Sequence, residues 1–264
     1  MSGQNNKASI YIQELEDKIV DLSLRLKSTS NELNSVIESN NKSIGKLIHN
    51  LKNPVGVIFS FSDMMLEDIE DYSTEKLEKH IEIIKKSAEF SLQMLTTVAK
   101  RAQLKSPDVA YNFKRVNYTN LVKEIITEFS EKASEKKCRV EKKILKTPIT
   151  LTIDDTEITL ALNNVLNNAL RYSSENSTIK ITVNENINAI ETIVEDEGIG
   201  ISDENLSKIF NDFFVVNTYS EDKQKCIGLG LPIANKIIKD HKGTISVTST
   251  LEKGSKFIIT LPKK

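Results

Sequence analysis

Several features that would name a partner are missing from this sequence. Cysteine is scarce: Cys138 and Cys226 lie far apart, with no second pair at metal-ligand spacing, so reduced thiols are expected rather than a disulfide or a zinc site. An excess of one charge is lacking too. The 36 Lys and Arg balance 37 Asp and Glu to a formal net charge of -1, which argues against a nucleic-acid footprint and against a broad polybasic membrane patch. No apolar run approaches the ~18 residues that span a bilayer, and the start MSGQNNKASI has no basic segment followed by an apolar one. The expectation is a soluble, cytoplasmic protein with no membrane span. There is also no G-x-x-x-x-G-K-S/T segment, no protein-kinase signature set, and no Ser, His and Asp set in a hydrolase context.

What is present is periodicity. The chain has 264 residues and 39% apolar content, enough for two domains. From Ile12 to Leu47 a heptad pattern places Ile12, Ile19, Leu26, Leu33, Asn40 and Leu47 at one seam position and Leu15, Leu22, Thr29, Val36 and Ser43 at the other. That pattern predicts a parallel two-stranded coiled coil, with a single amphipathic helix as the alternative. The pattern continues into SIGKLIHNLKNPVGVIF, where Ile44, Leu47, Ile48, Leu51 and Val55 share a helical face expected to form a core. His49 and Asn53 fall on the opposite, water-facing side. Pro54 is expected to kink this helix without ending it, since Val57, Ile58, Phe61 and Met65 continue the pattern. After EDIEDYSTEK a second helix carries Leu77, Ile81, Ile84, Ala88, Ser91, Leu95 and Val98 at core spacing. Such a hairpin would pair with a second copy as a four-helix bundle, so a homodimer is expected.

At KSPD, Lys105 to Asp108, the texture changes to strands alternating with helices, and a domain boundary is expected there. Helices are predicted over Asn120 to Lys136, Thr156 to Ser173 and Leu229 to Asp240. Strands are predicted near Val140 to Ile144, Ile149 to Ile153, Ile179 to Val183, Ile190 to Glu195, Thr244 to Ser249 and Lys256 to Leu261, with a long polar loop before the last helix. The whole reads as an α+β chain: a coiled coil and helical hairpin followed by a two-layer α/β sandwich.

Three stretches carry candidate chemistry. In LNNVLNNALRYS, Leu162, Val165, Leu166 and Ala169 form an apolar stripe with Asn164, Asn168 and Arg171 opposite. Two carboxamide oxygens one turn apart beside a cation suit Mg²⁺ held with phosphates, although an ordinary polar helix face has the same form. In IETIVEDEGIGIS, a strand ends in Asp196 followed by Gly198 and Gly200, a carboxylate able to accept from the exocyclic amine of adenine; a plain turn is the alternative. In CIGLGLPIANKII, Gly228 and Gly230 precede a helix with Pro232 in its first turn, a phosphate cradle or simply a glycine-bearing helix start. Four of the nine glycines lie in these last two stretches, which favours a nucleotide.

In their order, these motifs resemble those of a bacterial two-component sensor histidine kinase, from about Asn41 to the C-terminus. HNLKNP is similar to the histidine box, NNVLNNALRYS to the asparagine box, DEGIG to the first glycine box, IFNDFF to the phenylalanine box and IGLGLPIA to the second glycine box. The resemblance implies a coiled-coil signalling helix over 1–42, a dimerisation and histidine phosphotransfer hairpin over 43–105, and a catalytic ATP-binding domain over 106–264 of the type shared with gyrase, Hsp90 and MutL. It implies ATP and Mg²⁺ as cofactors. His49 would be phosphorylated and pass the group to an aspartate of a response regulator receiver domain, and an upstream sensory protein would act through the coiled coil. A neutral imidazole has a ring lone pair available for that attack. Asn164 and Asn168 would hold the metal, Arg171 and Tyr172 would touch phosphates, and Asp196 would read adenine. Gly198, Gly200, Ile201, Phe210, Gly228, Leu229, Gly230 and Leu231 would complete the nucleotide site, with Gly198 to Ile227 as a lid. His80 and His241, outside any motif, are expected at the surface.

Three positions depart from the family pattern. Asn50 replaces an acid beside the histidine, Val215 replaces an arginine after the phenylalanines, and Cys226 replaces the first glycine of the second glycine box. An amide cannot usefully take a proton, so autophosphorylation is expected to be slow, with Lys223 and Lys225 as substitute cations in the lid. Asn53 matches the position that orients water for dephosphorylation, which suggests a bias toward phosphatase activity. A nucleotide-binding dimeric scaffold or phosphatase-biased pseudokinase with little autokinase activity is the alternative.

Overall fold

The computed structural model describes residues 2–67, 72–216 and 226–263, apart from many side chains before residue 44. Two helices come first, α1 (Ser2–Glu67) and α2 (Thr74–Lys105). Then follow β1 (Lys114–Asn117), α3 (Tyr118–Glu135), β2 (Arg139–Lys143), β3 (Thr150–Ile153), α4 (Asp155–Tyr172), β4 (Thr178–Glu185), β5 (Ala189–Asp196), α5 (Asp203–Leu206), α6 (Gly230–Asp240), β6 (Thr244–Thr250) and β7 (Gly254–Pro262). Contacts divide the chain into two compact units, Met1–Asn53 and Pro54–Lys264. Pro54 lies inside α1, which continues to Glu67 as the apolar spacing requires.

In the first unit, His49 is exposed and Asn50 half-buried, as a polar helix face dictates. The apolar face does not form a core within one chain: Ile44 and Ile48 are exposed, and Leu47 and Leu51 are no more than half-buried. A helix that presents one greasy stripe needs a second surface to cover it, and that is where the expectation of a buried face falls short. Of the heptad seam, Leu26 and Thr29 are exposed. The side chains of Ile12, Leu15, Ile19, Leu22, Leu33, Val36, Asn40 and Ser43 lie outside the described residues. Among the described residues no helix is long and apolar enough to cross a membrane.

In the second unit, the end of α1 meets the start of α2 where Phe61 packs edge-on to His80, with ring centroids 4.9 Å apart. His80 is half-buried, its Nδ1 within 2.8 Å of the Tyr72 hydroxyl, so it is not the bare surface residue expected. Ser73 caps α2 by accepting from the Lys76 N–H. Ser91, Met94 and Leu104 of α2 are buried, whereas Ile81 and Leu95, also at core spacing, are exposed.

The sandwich rests on a five-stranded sheet in the order β2-β4-β5-β7-β6, with β1 and β3 paired separately. Only β2 and β4 run parallel, the geometry that needs a long crossover, supplied here by the segment containing α4. Successive side chains of a strand point to opposite faces. One face therefore gathers Ile179, Ile181 and Val183 of β4, Ile190, Thr192 and Val194 of β5, and Phe257, Ile259 and Leu261 of β7, all buried and mutually registered. The buried stripes of α3, α4 and α6 supply the opposing layer. Tyr118 is 1% exposed and reaches through this core to Thr192, oxygen to oxygen 2.6 Å. Burial pushes its phenol up to about 12, so the pair stays neutral.

His241 is the clearest correction. It is 5% exposed, not at the surface. Its Nε2 accepts the Asp154 N–H at 3.1 Å and its Nδ1 lies 2.8 Å from the Ile237 carbonyl, while Tyr111 and Phe113 pack their rings against it. The imidazole closes the end of α6 over the start of α4, a contact between residues far apart in sequence. The C-terminal turns of α2 are tied to the sandwich by charge: Arg101 and Lys105 each meet the Asp212 carboxylate at 2.7 Å, and Lys100 pairs with Glu157. Burial alone would raise the Asp212 carboxyl, but Lys105 and Arg101 hold it below its ordinary value.

Removing only the buried hydroxyl in Tyr118→Phe should cost about 1 kcal/mol of unfolding free energy, by leaving Thr192 unpaired. Emptying the site in Tyr118→Ala should cost about 3–5 kcal/mol. Urea denaturation of the two variants checks the order; equal effects would mean that the ring contributes nothing to the core.

Candidate functional site

The site begins with the capping of α4. Asp154 accepts the Glu157 N–H and starts a helix whose buried stripe runs Ile158, Ala161, Leu162, Val165, Leu166 and Ala169. With that stripe fixed, Asn164, Asn168, Arg171 and Tyr172 must come up on the other side, and all four line a cavity of about 680 Å³. Asn164 Nδ2 donates to the Leu160 carbonyl at 3.0 Å, which commits its nitrogen to the helix and leaves its oxygen as the group beside Gly230.

β5 delivers Asp196 to the same cavity. The residue falls in phase with Thr192 and Val194 on the helix-facing side and is 8% exposed. Its Oδ1 accepts the N–H of Gly198 at 3.0 Å and of Ser255 at 3.2 Å. Burial raises the carboxyl to about 6 and outweighs these two N–H donors, which pull it down. Gly200 and Ile201 follow on the cavity wall, Gly200 with φ +69. Gly198 itself does not line the cavity. A Cβ there would stand 2.8 Å from Asp196 Oδ1 and collide with the Tyr172 carbonyl, so this glycine permits the close packing of the turn on the end of α4.

α6 closes the third side. Gly228 (φ +74), Leu229, Gly230 and Leu231 all line the cavity, and Leu229 is also anchored in the core. The Phe213 N–H donates to the Gly228 carbonyl at 2.9 Å, so the two ends of the segment between them are held together. Phe210 is half-buried against the core and is not a lining residue, whereas Val215 and Cys226 are. Lys223 and Lys225 lie outside the described residues. His49, Asn50 and Asn53 belong to the first unit, with His49 and Asn53 exposed.

Sequence reasoning missed part of the wall. Lys132 of α3, Lys136 just after it, Phe90, Gln93 and Thr97 of α2, and Ser255 of β7 all line the cavity. None of these carried a signal in the sequence; Ser255 joins the site through the register that pairs it with Asp196 on the adjacent strand. Among the described residues no group of three His, Cys, Asp or Glu could hold a metal ion. A cation here would depend on amide oxygens and on ligand oxygens.

Residues 153–264 match the family described as histidine kinase-, DNA gyrase B- and HSP90-like ATPase. The solved catalytic domain of the histidine kinase ThkA is 31% identical, with a TM-score of 0.51, over 58% of this chain and 96% of that domain. This chain belongs to the two-component sensor histidine kinases. ThkA solved in complex with the response regulator TrrA extends the likeness to 83% of this chain and 60% of that chain, at 28% identity and a TM-score of 0.67. The sensor protein RprX of Bacteroides fragilis is 28% identical over 228 residues, 85% of this chain. The chain spans only 44% of the length of RprX.

The raised Asp196 carboxyl has a signed consequence for stability. Its folded value, about 6, lies above the ordinary 3.8, so the folded chain holds a proton that the unfolded chain has lost between those limits. Stability therefore falls as pH rises through that window, by about 2–3 kcal/mol in total. Asp196→Asn keeps an acceptor for both N–H groups and removes the charge. It should match the parent in stability near pH 3.8 and exceed it increasingly up to about pH 6, reaching a constant gap above. Denaturant midpoints of both proteins across that range check this; a gap independent of pH would contradict it.

Proposed function

We propose that this chain is the core of an ATP-dependent protein histidine kinase, with residues 1–42 as a signalling coiled coil, 43–105 as the dimerisation and phosphotransfer hairpin and 106–264 as the catalytic domain. The observation that carries this reading is the single cavity in which the asparagine-box helix, the end of β5 and the glycine-bearing start of α6 meet. Asp196 accepts from the exocyclic amine of adenine, and Gly200, Ile201, Leu229 and Leu231 line the ring. The free N–H groups at the start of α6, beside Gly228 and Gly230, attract phosphate, as helix N-termini do. Arg171 and Tyr172 touch the phosphates, while Gly198 and Phe210 support the wall from behind. Asn164 and Asn168 offer amide oxygens to Mg²⁺, which with one or two protein ligands takes the rest from phosphates and water. The Asn164 oxygen beside Gly230 fits that role.

Bound MgATP supplies an electrophilic γ-phosphoryl group. A His49 ring nitrogen forms a bond to that phosphorus as the bond to the bridging oxygen breaks, and the electron pair leaves on ADP. The phosphoryl group then passes to an aspartate of a response regulator receiver domain; ThkA, solved with the regulator TrrA, supports such a partner. Asn53, exposed one turn beyond His49, orients the water that attacks the regulator's phospho-aspartate in the phosphatase reaction, which releases inorganic phosphate and restores the aspartate. A homodimer covers the exposed Ile44, Ile48, Val55, Phe59, Ile81 and Leu95, and an upstream sensory protein acts through the coiled coil. ATP as substrate sets the work in the cytoplasm. Asn50 and Val215 favour a second reading, a nucleotide-binding scaffold or pseudokinase without autokinase chemistry.

Incubation with γ-labelled radioactive ATP at millimolar Mg²⁺ separates the two. The expected product is an acid-labile, base-stable label, absent in His49→Ala. Asn50→Glu should raise its rate at least about tenfold, because acid-base assistance is commonly worth ~10²–10⁴. A label that survives in His49→Ala would sink the kinase reading, and ATP binding without any label would support the scaffold.

A further inference from the structure

The resemblance leads one to expect glycine at position 226, where a side chain would be absent. Cys226 instead lies buried on the cavity wall, 8% exposed. Arg171 Nη1 donates to its sulfur at 3.0 Å, and the Tyr172 hydroxyl lies 3.5 Å from the same atom. These are the two residues assigned above to the phosphates. The last turn of α4 is also fixed through its backbone, since Lys136 Nζ donates to the carbonyls of Leu170 and Arg171 at 3.1 and 3.2 Å. An arginine at a helix end samples many rotamers, and ordering it on ligand binding weakens affinity; a fixed acceptor removes part of that loss beforehand. Sulfur suits the task because it is a weak acceptor. It orients the guanidinium without neutralising it, whereas a carboxylate would hold the charge against the incoming phosphates.

We infer that Cys226 is a positioning residue: its sulfur holds the Arg171 guanidinium and the Tyr172 phenol at the phosphate end of the cavity before nucleotide arrives. This rests on the nucleotide-site reading above. A packing role alone would act on every ligand of the cavity, but a positioning role acts only on ligands that carry phosphates.

The test titrates ATP and adenosine into the full chain at millimolar Mg²⁺, following ATP by calorimetry and adenosine by NMR shifts. Cys226→Ala should weaken ATP binding on the order of three- to tenfold, the range of one hydrogen bond, and leave adenosine unchanged. Cys226→Ser, which keeps an acceptor, should stay close to the parent. In an Arg171→Ala background, Cys226→Ala should have a smaller effect, carried by Tyr172 alone. Equal weakening of ATP and adenosine, or full additivity in the Arg171→Ala background, would overturn the inference. A parent that binds ATP while Cys226→Ala changes nothing removes this inference alone; a parent that binds no ATP removes the nucleotide reading and this inference with it.

Discussion

A carboxylate sits where the pleat of β5 calls for an apolar side chain. Thr192 and Val194 face the helices, and period-2 alternation sends Asp196 to the same side at the end of the strand. Burial there disfavours the charge, and the backbone is shaped to offset it. Gly198 turns its N–H back onto Oδ1, and Ser255 reaches the same oxygen from β7. The latter approach needs Gly254, whose φ of +92 and lack of a side chain bring the start of β7 against the Asp196 carbonyl. Much of the local architecture around the cavity follows from holding this one group.

Periodic elements were legible in the sequence because their cause is local. The stripe Leu162, Val165, Leu166 and Ala169 is buried as its spacing requires, and β4, β5 and β7 appear within a residue or two of their expected bounds. β1 was missed: KRVN is four residues with no apolar alternation, and it is a strand because β3 pairs with it. The short α5 was hidden in the same way inside a polar loop. His241 was misread because its partners, Asp154 and the rings of Tyr111 and Phe113, come from distant parts of the chain. For the candidate site, the asparagines, Asp196 and the α6 glycines announced themselves through unusual composition. Lys132, Lys136 and the α2 residues did not, since a lysine on a helix face ordinarily means only solvent.

The cavity is not the property of the sandwich alone. Phe90, Gln93 and Thr97 give it a wall from α2, and the same helix grips Asp212 through Arg101 and Lys105 about two turns further on. Asp212 lies in the segment that leads toward residue 217, and Phe213 beside it is bonded to Gly228 at the start of α6. Charge pairing, the stretch of cavity wall at Phe214 to Val216 and the glycine entry to α6 are thus joined within a few residues. Such partly buried pairs hold geometry more than they add stability.

In the proposed function, a buried carboxylate at a strand end makes this cavity a site for an adenine nucleotide. The most direct measurement is calorimetric titration of the full chain with ATP and with GTP at millimolar Mg²⁺. Guanine presents a carbonyl where adenine presents the amine, so it would leave Asp196 facing another acceptor. Saturable ATP binding is expected, with GTP binding weaker by at least about tenfold, because a site built for one hydrogen-bond donor rejects a ligand that lacks it. Equal affinity for the two nucleotides, or no affinity for either, would contradict it.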